Sequence, residues 1–173
     1  MFKITFPDEA IRKLYSMDNP GKPHLGNLIA GYGFAPTKDQ AISTFLNRIH
    51  FIDEYLRPEE AVIGILAAGG IPVLAHPSLG SGDQQITGKA LEQRLKTLIG
   101  YGLTGVEAFY SGFSDRQSRE VLALAEKYGL YVTAGSDYHG KNKQIIPGNT
   151  GMASVPEIPD GFKRFLKDVS HIQ

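Results

Sequence analysis

Apolar and polar positions follow two different patterns along this chain. As far as residue 56 the apolar residues fall in short helical stretches. Pro7 to Met17 reads as a first helix, which Asp18-Asn19-Pro20-Gly21 breaks with turn chemistry. A second helix is expected from Pro23 to Tyr32, with proline in the first turn, where its missing N–H costs nothing. Thr37 is placed to cap a third helix, Lys38 to Leu46. The three are expected to pack as a small helical cluster.

From Arg57 the pattern changes. Pro58-Glu59-Glu60 opens a helix that ends at Gly69-Gly70, and Ile71 to Ala75 is a short apolar strand. Leu91 to Tyr101 places Leu91, Leu95, Leu98 and Ile99 on one helical face, and Gly102 stops it. Gly105 to Phe109 is the next strand, Asp115 to Tyr128 a helix stopped by Gly129, and Leu130 to Ala134 a further strand. A last helix lies within Pro159 to Val169. Strands and helices alternating at this spacing imply an α/β fold with parallel strands, residues 57–173, preceded by the helical segment 1–56. In such folds the functional site gathers where the strands end at their C-terminal edge. There is no internal repeat and no low-complexity stretch.

Composition narrows the partners. Eighteen basic residues balance eighteen acidic ones among 173 residues, so no bulk charge draws the chain to duplex nucleic acid or an anionic membrane. Apolar runs such as Gly69 to Ala75 are far too short to span a bilayer, and no signal-peptide pattern opens the chain. A cytoplasmic protein is expected. With no cysteine, any metal must rest on imidazole and carboxylate.

His76 comes directly after the strand Ile71 to Ala75. Gly135-Ser136-Asp137-Tyr138-His139-Gly140 comes directly after Leu130 to Ala134. If the backbone there stays extended, Asp137 and His139 point to one side. Zinc, manganese and iron all accept such N/O ligands. The bland readings are a strand-capping histidine and an Asp–His surface hydrogen bond. Glu107 lies in an otherwise apolar strand, so it must sit near the strand end or be paired, since burying a lone carboxylate is costly. Tyr110 and Ser111 follow it into the same loop region. Lys22-Pro23-His24 stands at a helix start, where cationic side chains can anchor phosphate, and Lys141 and Lys143 can also meet phosphate. A solvated turn is the bland reading of the first group. His50 and His171 read as structural or surface residues.

Taken in order, Leu74-Ala75-His76-Pro77, Gly105 to Ser111, Leu124 to Leu130 and Thr133 to Gly140 resemble the polymerase and histidinol phosphatase (PHP) family, most closely its small stand-alone phosphoesterases. Gly21-Lys22-Pro23-His24 resembles an Arg-Pro-His segment in that family's helical insertion. Lysine in place of arginine offers a point charge rather than a bidentate clamp. The resemblance implies a partial distorted (β/α) barrel with a small helical insertion. It also implies divalent metal ions (Mn, Zn or Fe) and hydrolysis of a phosphorylated small molecule or nucleotide. His76, Asp137 and His139 match the family's late metal ligands. Glu107 is then the catalytic or positioning carboxylate, with Lys22, His24 and Ser111 toward substrate.

The family's opening His-x-His strand has no counterpart here, so the chain is expected to correspond to its C-terminal portion. Two functional classes follow. One is a metal-dependent phosphoesterase that works with a second copy or with an N-terminal half, and is nearly inactive as a lone monomer. The other is a non-catalytic remnant that binds metal, phosphate or a partner. A third reading, metal-dependent amidohydrolase chemistry, calls for more histidines at early strands than this chain has.

Overall fold

The computed structural model describes residues 2–18, 20–49, 56–80, 85–140, 143–152 and 156–170. His50, Lys141 and His171 lie outside them. The chain forms two compact units, Met1–Glu54 and Tyr55–Gln173.

The first unit is helical, with α1 (Asp8–Tyr15), α2 (Lys22–Gly31), α3 (Lys38–Thr44) and a 3₁₀ turn at Leu46–Arg48. Asp8 and Glu9 open α1, and Arg12 and Lys13 close it, each sign matching its end of the helix dipole. The Thr37 hydroxyl accepts the Gln40 N–H at 3.2 Å, the expected cap of α3. Ile29, Ala35, Ala41 and Leu46 form the core, against which Phe6, Leu25, Ile42 and Phe45 pack.

The second unit holds α4 (Pro58–Ala67), β1 (Val73–Leu74), α5 (Gly88–Tyr101), β2 (Gly105–Tyr110), α6 (Asp115–Lys127), β3 (Tyr131–Gly135) and α7 (Asp160–Val169). The strands are parallel in the order β1-β2-β3. Helix α5 buries Leu91, Leu95 and Leu98, and α6 buries Val121 and Ala125, in one core with Val106, Phe109 and Val132 of the sheet. Gly102 and Gly129, which end α5 and α6, have φ of 107° and 65°, the left-handed geometry of a helix stop. Three strands leave the described sheet open, so the described residues do not close a barrel.

Two elements differ most from expectation. The first strand is two residues long rather than five. Pro72 has no N–H to start a ladder, and His76 turns the chain away at positive φ. Helix α5 begins at Gly88, three residues earlier than expected, because the Glu120 carboxylate of α6 accepts the Gly88 N–H. That cap comes from tertiary structure.

Candidate functional site

Parallel strands end on the same side, so one sheet edge gathers the residues that follow them. His76 comes just after β1, Tyr110 ends β2, and Asp137 comes just after β3. His76 and Asp137 have φ of 29° and 53°, and among the described residues no other non-glycine residue has positive φ. Side-chain-bearing residues adopt this region at a cost, and such positions concentrate at functional sites.

The Glu107 carboxylate accepts the His76 backbone N–H at 2.8 Å, which holds the turn that displays the imidazole. Burial pushes the Glu107 carboxyl above its ordinary range, against the pull of that hydrogen bond. The charges of Asp137 and Lys143 act on it too.

A β-bulge explains how Tyr110 joins the site. Glu107 pairs with Thr133 but Phe109 pairs with Ala134, so Ala108 is an extra residue in β2. The bulge shifts the alternation and puts Glu107 and Tyr110 on one face, in register with Thr133 and Gly135. A Cβ at Gly135 would collide with the Glu107 carboxylate, which would then have to shift.

The buried Tyr110 then links the two strand ends. Its ring centroid lies 5.3 Å from that of His76, and its hydroxyl donates to Asp137 Oδ2 at 3.2 Å. The Lys143 ammonium forms an ion pair with the same Oδ2 and donates to the Tyr110 hydroxyl oxygen at 2.6 Å. Burial alone would raise the Asp137 pKa, but the Lys143 hydrogen bond and charge outweigh it and the net shift is downward.

His139 Nδ1 lies 2.8 Å from the Asp137 backbone carbonyl and 3.3 Å from Asp137 Oδ1. A carbonyl only accepts, so Nδ1 donates, and the neutral ring presents Nε2 as its lone-pair nitrogen. The backbone at Asp137 is therefore not extended. A left-handed turn, rather than strand alternation, brings His139 against Asp137.

The other sequence-predicted residues are placed as follows. The Ser111 hydroxyl donates to the Ser136 carbonyl at 2.8 Å, tying the loop after β2 to the loop after β3. Lys22 and His24 belong to the first unit, at the start of α2, where His24 Nδ1 accepts the Gly21 N–H at 3.1 Å. Sequence reasoning passed over Tyr110 as a site residue, and took Lys143 for a phosphate contact rather than a partner of Asp137.

Imidazole and carboxylate suit divalent zinc, manganese or iron in kind. Asp137 already binds one cation, the Lys143 ammonium, so a positive charge fits at this position. Among the described residues no three His, Asp or Glu side chains stand grouped at metal-holding distance. The fit is therefore in donor chemistry and in the Asp137 cation position, without a closed ligand set.

No protein-family model matches the chain. Two curated proteins are similar to it. A phosphoribosyl 1,2-cyclic phosphate 1,2-diphosphodiesterase from Eggerthella lenta is 35% identical over 88 residues, which are 51% of this chain and 30% of that protein. A 3',5'-nucleoside bisphosphate phosphatase from Chromobacterium violaceum is 27% identical over 101 residues, 58% of this chain and 33% of the relative. The matched regions thus span about a third of the relatives' lengths. Among solved structures, a provisionally named metal-dependent phosphoesterase from Bifidobacterium adolescentis superposes with a TM-score of 0.70 at 25% identity, over 86% of this chain and 52% of that one. An amidohydrolase structure from Chromobacterium violaceum, with bound sulfate, shares the fold at a TM-score of 0.63 and 23% identity, over 80% of this chain and 48% of that one. Among the described residues no helix is long and apolar enough to cross a membrane. The chain's curated relatives are phosphoesterases, and its strand-end motifs and parallel α/β fold are consistent with a PHP-type family.

Proposed function

We propose that this chain carries part of the active edge of a metal-dependent phosphoesterase acting on phosphomonoesters or nucleotide phosphates. The supporting observation is Asp137. A left-handed turn presents its carboxylate at the C-terminal strand edge beside His139, already bound to a cation and linked through Tyr110 to His76. His76, Asp137 and His139 would hold a divalent ion, with manganese, zinc and iron as the candidates. A bound ion of this kind supplies hydroxide near neutral pH and neutralises charge on the phosphoryl group.

The chain's own residues supply positioning. Glu107 acts through His76, whose backbone it holds, and Tyr110 orients the Asp137 carboxylate. Ligand-orienting contacts of this kind tune metal sites strongly. Ser111 fixes the loop beside Asp137 and stands toward substrate, and Lys22 and His24 are proposed phosphate contacts on the first unit. A second copy is the proposed partner. Among the described residues the outer side of β1 has no neighbouring strand, and α4 exposes Ile63, Ile65 and Leu66.

Hydrolysis of p-nitrophenyl phosphate with added Mn²⁺ tests the reading. The expected rate depends on manganese, rises with protein concentration as chains associate, and is almost absent from the lone monomer. Asp137→Ala should lower it by roughly 100-fold. A rate indifferent to manganese and to Asp137→Ala would contradict the proposal.

A further inference from the structure

Lys143 is held more firmly than a solvated surface lysine. Its ammonium contacts Asp137 Oδ2 and the Tyr110 hydroxyl, and stands 4.9 Å from the Tyr110 ring centroid. The side chain is 31% exposed. Both oxygens of Asp137 are therefore engaged, Oδ1 by His139 and Oδ2 by Lys143 and Tyr110.

A metal ion approaching Oδ2 would meet this ammonium. Two cations cannot share one carboxylate oxygen without strong repulsion in a partly buried site, so either the ion or the lysine holds it. Lys143 can withdraw cheaply. It belongs to no helix or strand, so its departure breaks no helix or strand ladder.

We propose that Lys143 is a built-in competitor for the metal position at Asp137. Its ammonium holds the carboxylate in place while no metal is bound, and a divalent ion must displace it in order to bind. This inference rests on the reading of Asp137 as a metal ligand. It accounts for the occupation of Asp137 Oδ2 by the Lys143 ammonium at a carboxylate proposed to hold metal. At Asp137 itself, the Oδ2 position is taken by an internal cation.

Calorimetric titration of the purified full chain with MnCl₂ tests the competition without any activity measurement. Lys143→Met should bind Mn²⁺ about ten-fold more tightly than the unaltered chain, because a charge-assisted hydrogen bond no longer has to be broken. Lys143→Arg, which keeps the charge, should bind within a few-fold of the unaltered chain, and it guards against a folding defect in the methionine variant. Equal or weaker binding by Lys143→Met, with Lys143→Arg folded and unchanged, would overturn the competition. Asp137→Asn separates the two claims. Loss of Mn²⁺ binding in Asp137→Asn together with unchanged affinity in Lys143→Met would leave Asp137 as a ligand and remove the role of Lys143. Binding that survives Asp137→Asn would remove both.

Discussion

At the scale of single residues, the site depends on two strained turns and the groups that hold them. His76 and Asp137 adopt backbone geometry that residues with a Cβ avoid, and each is tied by a hydrogen bond from elsewhere in the sheet. Gly135 is the hidden member of this set. It has no side chain to offer, yet the Glu107 carboxylate occupies the space where a Cβ would stand. Gly135→Ala should push that carboxylate off the His76 N–H and cost about 1–3 kcal/mol of stability, the penalty for a buried group left unsatisfied. Urea denaturation measures it, and a loss below about 0.5 kcal/mol, the scale of an ordinary surface substitution, would mean that Glu107 does not restrain His76. The placement of His76, Asp137 and His139 at the strand ends was legible in the sequence because each follows an apolar run that reads as a strand. Tyr110 was not. By simple alternation it faces away from Glu107, and only the bulge at Ala108 brings it round. A bulge leaves no mark in the run Val106 to Tyr110, where Glu107 is the one charged residue and the rest offer no polar alternation to shift.

At the scale of elements, the helices and strands formed where Gly, Pro and apolar periodicity placed them. The departures came from tertiary contacts. Glu120 starts α5 early, and Pro72 with His76 cuts β1 to two residues. A second tertiary tie joins the same helices. Glu92 of α5 accepts from the Lys127 ammonium at 2.7 Å and from the Tyr128 hydroxyl at 2.5 Å, near the end of α6. The Lys127 hydrogen bond, followed by that of Tyr128, draws the Glu92 carboxyl down from 4.5 to about 2. A depressed folded-state pKa contributes stability that is fully present above the unfolded value of 4.5 and is lost as pH falls toward about 2. The melting temperature should therefore fall between about pH 5 and pH 2 more steeply in the unaltered chain than in Glu92→Gln. High salt should shrink the difference, since the pair is partly solvent-exposed. Identical slopes for the two proteins would mean that the tie carries no pH-dependent stability.

At the scale of the whole molecule, the chain is two compact units, each with its own candidate residues. The second holds the strand-end site and the first holds Lys22 and His24. The parallel α/β order follows directly from alternating strand and helix patterns, whereas barrel closure rested on resemblance and is not seen in the three described strands. Ligand grouping was not legible either: the motifs place ligand-type residues after two strands, yet among the described residues no three His, Asp or Glu side chains stand at metal-holding distance.

The most direct test of the metal site is anomalous diffraction at the manganese edge from crystals of the purified chain soaked in MnCl₂. The account predicts a peak within about 2.0–2.3 Å of an Asp137 carboxylate oxygen and of a ring nitrogen of His76 or His139. It also predicts that Lys143 will have moved off Asp137 Oδ2. Manganese bound elsewhere, with Lys143 still paired to Asp137 and no peak at the C-terminal strand edge, would contradict it.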